Sequence, residues 1–138
     1  MFSEVSEIKL QKLNQWRTNV AADETVVGAS VGDNGYGAVI SMPDRDAKYL
    51  IMATNTSGSS PVTVRVKAGN GVNATAFEPA ITLGASSSAI IQIESGCFKH
   101  VKDEGVMKAE SAETSIMDKV FVTATTSTVK IKVFHTVM

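Results

Sequence analysis

The sequence predicts a mainly β protein, an antiparallel β-sandwich preceded by a short N-terminal helix or arm. Three observations carry that expectation. From Thr25 onward apolar residues recur with period two instead of the helical period. The breaks between these runs carry turn chemistry, at Asn34-Gly35, Ser57-Gly58, Asn70-Gly71 and Ser95-Gly96, and Asn-Gly suits tight turns that need positive φ. Strand runs are also not interleaved with long amphipathic helical repeats, as a parallel α/β sheet would require.

Taken in order, the elements are justified as follows. Over residues 1–22, Ser3 can cap a helix and Glu4 and Glu7 suit its positive end. Val5, Ile8, Leu13, Trp16 and Val20 recur at near-helical spacing, with Leu10 breaking the repeat. This segment is expected to be a short helix or arm, and residues 23–138 the sandwich domain. Strands are expected at Thr25–Ser30, Tyr36–Met42 and Lys48–Thr54. The last of these is apolar on both faces, as a central strand should be. Pro61–Ala68 alternates most clearly, with Val62, Val64 and Val66 on one face and Thr63, Arg65 and Lys67 on the other. Ala80–Leu83 and Ala89–Glu94 follow. Asp103–Asp118 is charged around Val106, Met107, Ile116 and Met117, and reads as a loop or short helical insertion. Lys119–Thr125 places Val120, Val122 and Ala124 on one face and Phe121 and Thr123 on the other. Val129, Ile131 and Val133 point inward and Lys130 and Lys132 outward, where lysines discourage edge pairing. Thr126 and Ser127 lie between the last two runs and read as a hairpin turn. Strands of this length joined by such turns fit a jelly-roll-like or immunoglobulin-like sandwich.

The chain has 138 residues, which suffices for one domain with its own core. Hydrophobic residues at 43% and charged residues at 20% are globular proportions. Thirteen basic and 14 acidic residues leave a net charge of −1, which argues against nucleic acid as partner, because neutralising many phosphates needs a basic excess. The one cysteine excludes an internal disulfide. The N-terminus, Met-Phe-Ser-Glu-Val-Ser-Glu, has neither the basic nor the apolar region of a signal peptide. Apolar runs fall far short of the ~20 residues that span a bilayer. A protein made in the cytoplasm is expected, with no membrane partner.

Candidate chemistry is sparse. Cys97 and His100 form a Cys-x-x-His pair followed by Asp103 and Glu104. A structural zinc site needs four ligands, and the remaining histidine, His135, lies far along the chain. A strand-end cysteine packed as a small hydrophobe beside a solvated histidine is the expected arrangement. The same pair as a thiol nucleophile and base would need a turn to bring the groups together. Gly32 to Gly37 lacks the Gly-Lys-Ser/Thr of a phosphate loop and leads into a strand. Asp44-Arg-Asp46 lacks calcium-loop spacing and reads as a turn. Asn55-Thr-Ser and Asn73-Ala-Thr match the glycosylation pattern, by chance in a protein without a secretory route. No catalytic residue, metal ligand or cofactor is therefore expected. The residues singled out for binding a partner are Ile8, Leu10, Leu13 and Trp16, since aromatic anchors dominate interface energies. The competing reading has this segment folding back over an open end of the sandwich.

From Lys48 to Phe134 the chain resembles small β-sandwich proteins that decorate the capsids of tailed bacteriophages. The resemblance rests on the stretch from Ala53 to Gly71, which runs through Asn-Thr-Ser-Gly and the valine strand to Ala-Gly-Asn-Gly. It continues through Ile91-Gln-Ile-Glu-Ser-Gly-Cys-Phe-Lys-His-Val101 and the closing strands Lys119–Thr125 and Val129–Phe134. The resemblance implies a non-enzymatic virion protein on the capsid exterior, with the major capsid protein lattice as partner and a homo-oligomer, expected as a trimer, as the unit. Two alternatives make other demands. A carbohydrate-binding or adhesive module would draw on Trp16, Tyr36 and Tyr49, and a thiol enzyme on Cys97.

Overall fold

The computed structural model describes residues 6–8, 10–13, 25–26, 36–43, 48–71, 78–105, 107–108 and 115–136. Strands β1 (Ser6–Ile8), β2 (Leu10–Leu13), β3 (Thr25–Val26), β4 (Tyr36–Ser41) and β5 (Lys48–Asn55) come first. β6 (Val62–Val66), β7 (Ala80–Leu83), β8 (Ser88–Glu94), the one-turn helix α1 (Ser95–Phe98), β9 (Lys119–Ala124) and β10 (Val129–Thr136) follow.

Alternation places the inward residues. Val62 is 2% exposed, and Val64, Val66, Val129 and Val133 are fully buried, with Ile131 at 1%. They meet Ile51, Ala53, Tyr49, Val120, Val122, Ile40 and Ala38 in one core between two layers. Burying a Val or Ile side chain in this way contributes roughly 1.5–3 kcal/mol relative to leaving it in water. The first sheet has the order β1-β4-β9-β6-β7 and the second β2-β10-β5-β8, with β3 also pairing β10. The expected β-sandwich is therefore present. β5 is central in the second sheet, between β10 and β8.

Two expectations are corrected. The N-terminal segment forms strands, not a helix, at its described positions. β1 pairs parallel with β4 and β2 pairs parallel with β10, so two otherwise antiparallel sheets each end in one parallel strand. Near-helical spacing of apolar residues is a local preference, and pairing with two sheet edges overrides it. Thr126-Ser127 is not a hairpin turn, because β9 lies in the first sheet and β10 in the second. The link crosses between layers, as does the link from β5 to β6 through Ser57-Gly58. Consecutive strands that both turn valines inward can face one core from opposite sides, and a tight hairpin would have kept them in the same sheet.

The two crossing links are tied together at one end of the sandwich. Thr56 N–H donates to the Thr128 carbonyl at 2.8 Å, and Thr125 N–H to the Thr63 carbonyl at 3.1 Å. Asn55, fully buried, stands at their junction. Its Nδ2 donates to the carbonyls of Ser60 at 2.8 Å and Gly84 at 3.1 Å. Its Oδ1 accepts from the Ser57 N–H and the Thr128 hydroxyl, both at 3.0 Å. One amide side chain thus joins β5, the two links and the turn after β7.

Candidate functional site

The residues expected to bind a partner are distributed as follows. Ile8 is 3% exposed and belongs to the core, so its side chain packs inside the sandwich instead of meeting a partner. Leu10 and Leu13 begin and end β2, opposite Val133 and Thr136 of β10. Trp16 lies outside the described residues, as do Asn73, Gly32 to Gly35 and Asp44 to Asp46. The N-terminal strands therefore close one flank of the sandwich, adding one strand to each sheet edge. Of the aromatic residues a sugar face would use, Tyr49 is fully buried, stacked on His135 at 4.7 Å, and Tyr36 is half-buried in β4.

The Cys97–His100 region lies where α1 leaves β8. Cys97 is half-buried and packs on the main core, as expected of a small hydrophobe. His100 is not solvated as expected, since it is only 3% exposed. Its Nδ1 lies 3.2 Å from the Lys119 carbonyl, and its ring meets Phe121 edge-on at 5.3 Å. Burial lowers the His100 pKa, with the Lys119 carbonyl opposing in part. The neutral tautomer carrying its proton on Nδ1 satisfies that bond. Phe121 points to the outer face of the first sheet, where Met107 and Ile116 from the charged insertion cover it with Val39. The insertion thus forms a second, smaller core outside the sandwich.

Two polar side chains hold that insertion in place. Asp103 Oδ1 accepts the Ile116 N–H at 2.9 Å, and Lys108 Nζ lies 3.4 Å from Oδ2. The Ile116 bond and then the Lys108 ammonium hold the Asp103 carboxyl below its ordinary pKa. Asn70 substitutes for a strand neighbour. Its Oδ1 accepts from Val101 N–H at 2.8 Å and Lys102 N–H at 3.1 Å, and its Nδ2 donates to the carbonyls of Lys102 at 2.7 Å and Glu104 at 3.0 Å. The preceding Gly69 lies so close to α1 that a Cβ there would sit 2.5 Å from the Lys99 carbonyl oxygen. Here glycine is required by close approach of two backbones.

Between these loops lies a half-open cleft of about 290 Å³, lined by Lys67, Glu78, Asn70, His100, Glu104 and Met107, among others. Glu78 spans its wall, with Oε1 2.9 Å from Lys67 Nζ and Oε2 accepting the Ala68 N–H at 2.8 Å. Burial raises the Glu78 pKa, but the Ala68 bond and Lys67 outweigh it and the net shift is downward. Glu78, Lys67 and the Ala68 N–H are thus engaged with one another in structural bonds. Among the described residues, no three His, Cys, Asp or Glu side chains group as metal ligands. Asn55 of the Asn-Thr-Ser pattern uses both amide atoms internally, so the folded chain does not offer it for glycosylation. Sequence reasoning missed the structural roles of Asn55, Asn70 and His100, and only the Asn-Gly turn at Asn70 hinted at any of them.

Compared with known proteins, the chain matches no protein-family model, no curated protein and no solved structure.

Proposed function

We propose that the chain is a non-enzymatic structural protein of a tailed-bacteriophage virion, binding the outside of the assembled capsid and stabilising or decorating it. The observation that supports this reading is the continuity of the region carrying the resemblance. Lys48 to Phe134 runs from β5 into β10 and supplies strands to both layers, among them the interior strands β5, β6, β9 and β10. Crossing links pinned by Asn55 and two flanking N-terminal strands make that body stiff. A stiff ligand that binds only the closed lattice stabilises it by mass action, and many equivalent sites multiply the effect. The partner is the major capsid protein lattice, and no cofactor enters the reading.

The test is sedimentation of the full chain with DNA-free capsids of the phage that encodes it, stripped of this protein. Saturable binding at a fixed ratio to capsid subunits, with capsids surviving higher temperature, is the expected result. Absence of the chain both from purified particles by mass spectrometry and from the capsid pellet at micromolar concentration would overturn it.

A further inference from the structure

We propose that the chain forms a two-fold dimer in which β8 of one copy pairs antiparallel with β8 of the second, joining the two second sheets into one. This holds independently of the capsid reading and replaces the expected trimer as the unit.

The argument begins with the two flanks of the sandwich. One is closed by β1 and β2, whereas the other ends in β7 and β8, the last described strands of their sheets. β8 is seven residues long and pairs with β5 without interruption from Ser88 to Glu94. The Asn55 N–H donates to the Ser87 carbonyl at 2.9 Å. In an antiparallel ladder bonded pairs alternate, so Ala89, Ile91 and Ile93 bond to β5. The N–H and C=O groups of Ser88, Ile90, Gln92 and Glu94 therefore point away from β5. The side chains of these four residues are exposed, Ile90 to 64%.

Edge strands are commonly guarded by lysine, proline, a bulge or a covering loop. The strand Ser-Ala-Ile-Ile-Gln-Ile-Glu carries no lysine, arginine, proline or glycine. By contrast, the outward residues of the interior strand β10 include Lys130 and Lys132. The edge is also self-complementary. With Ile91 on the two-fold axis, all seven residues pair, Ile90 opposite Gln92 and Glu94 opposite Ser88 of the second copy. The strand's only charge then meets a hydroxyl, whereas an in-register parallel pair would bring the two Glu94 carboxylates together. On the inner side of this flank Ile81, Ala89 and Ile91 pack on the core while only partly buried, and the second copy covers them. The contact uses the same patch on both copies, so it closes at two.

Sedimentation velocity of the full chain tests the proposal. Twice the 14.6 kDa chain mass is expected, and a monomer up to about 1 mM, where even a millimolar dissociation constant leaves visible dimer, overturns it. Gln92→Pro removes an outward N–H and no bond to β5. It is expected to weaken association at least tenfold while the circular dichroism spectrum is retained. If that variant fails to fold, Ile91→Cys in a Cys97→Ala background decides. Residues facing each other in a non-hydrogen-bonded pair have Cα atoms about 4.5 Å apart, within disulfide reach. Rapid oxidation to a 91–91 linked dimer supports the register, and a dimer that neither forms this bond nor responds to Gln92→Pro refutes it.

Discussion

Replacing Asn55 by alanine tests the account of how the sandwich is closed at one end. The side chain makes four bonds of 2.8 to 3.1 Å to Ser60, Gly84, Ser57 and Thr128. They lie at a partly buried end, where each contributes about 0.5–1 kcal/mol net, so their combined loss comes to roughly 2–4 kcal/mol. For a domain of this length, 1 kcal/mol corresponds to about 4 °C, and the midpoint is expected to fall by roughly 8–16 °C. The assays are thermal melting and urea denaturation, both followed by far-UV circular dichroism at fixed protein concentration, because association would add to apparent stability. An unchanged slope with a lower midpoint marks a change in stability alone. Asn55→Asp sharpens the test. It keeps the acceptor for Ser57 and Thr128 but turns a second oxygen toward two carbonyls, so it should destabilise at neutral pH at least as much as alanine. A loss below about 1 kcal/mol for alanine, or an aspartate variant as stable as the parent, would refute the reasoning.

Two further predictions follow from the loops around α1. Gly69→Ala must displace the Lys99 carbonyl, 2.5 Å from the added Cβ, and should cost about 1–3 kcal/mol in the same denaturation assay; an unchanged midpoint would show that the two backbones separate easily. The folded His100 pKa lies below 6.5, so the unfolded chain takes up the proton first as pH falls. The stabilising contribution of the neutral ring is complete above pH 6.5 and is lost as pH drops toward the lowered folded value. His100→Gln should flatten that portion of the stability–pH curve, and an unaltered slope would show that another group titrates there.

What the sequence determined by itself, from Tyr36 onward, is where the strands run and the face each turns inward. Strand alternation is a local property, readable from Val62, Val64 and Val66 or from Val129, Ile131 and Val133 without knowing any partner. Ala80–Leu83 falls where it was expected, and from Tyr36 onward the other strands differ chiefly at their ends, while of Thr25–Ser30 only Thr25–Val26 lies within the described residues. The layer to which each strand belongs was not legible, because pairing joins residues distant in the chain. An inward valine looks the same in either sheet, so the Thr126-Ser127 link could be recognised as a break but not as a crossing. For the same reason the parallel pairing of β1 and β2 overrode a helix-like spacing and placed Ile8 in the core. His100 and Asn55 gave little sign of their burial, since a polar residue enters a core only where backbone groups converge to meet it. That convergence, at the Lys119 carbonyl for one and at Ser57, Ser60, Gly84 and Thr128 for the other, exists only once the two layers have closed.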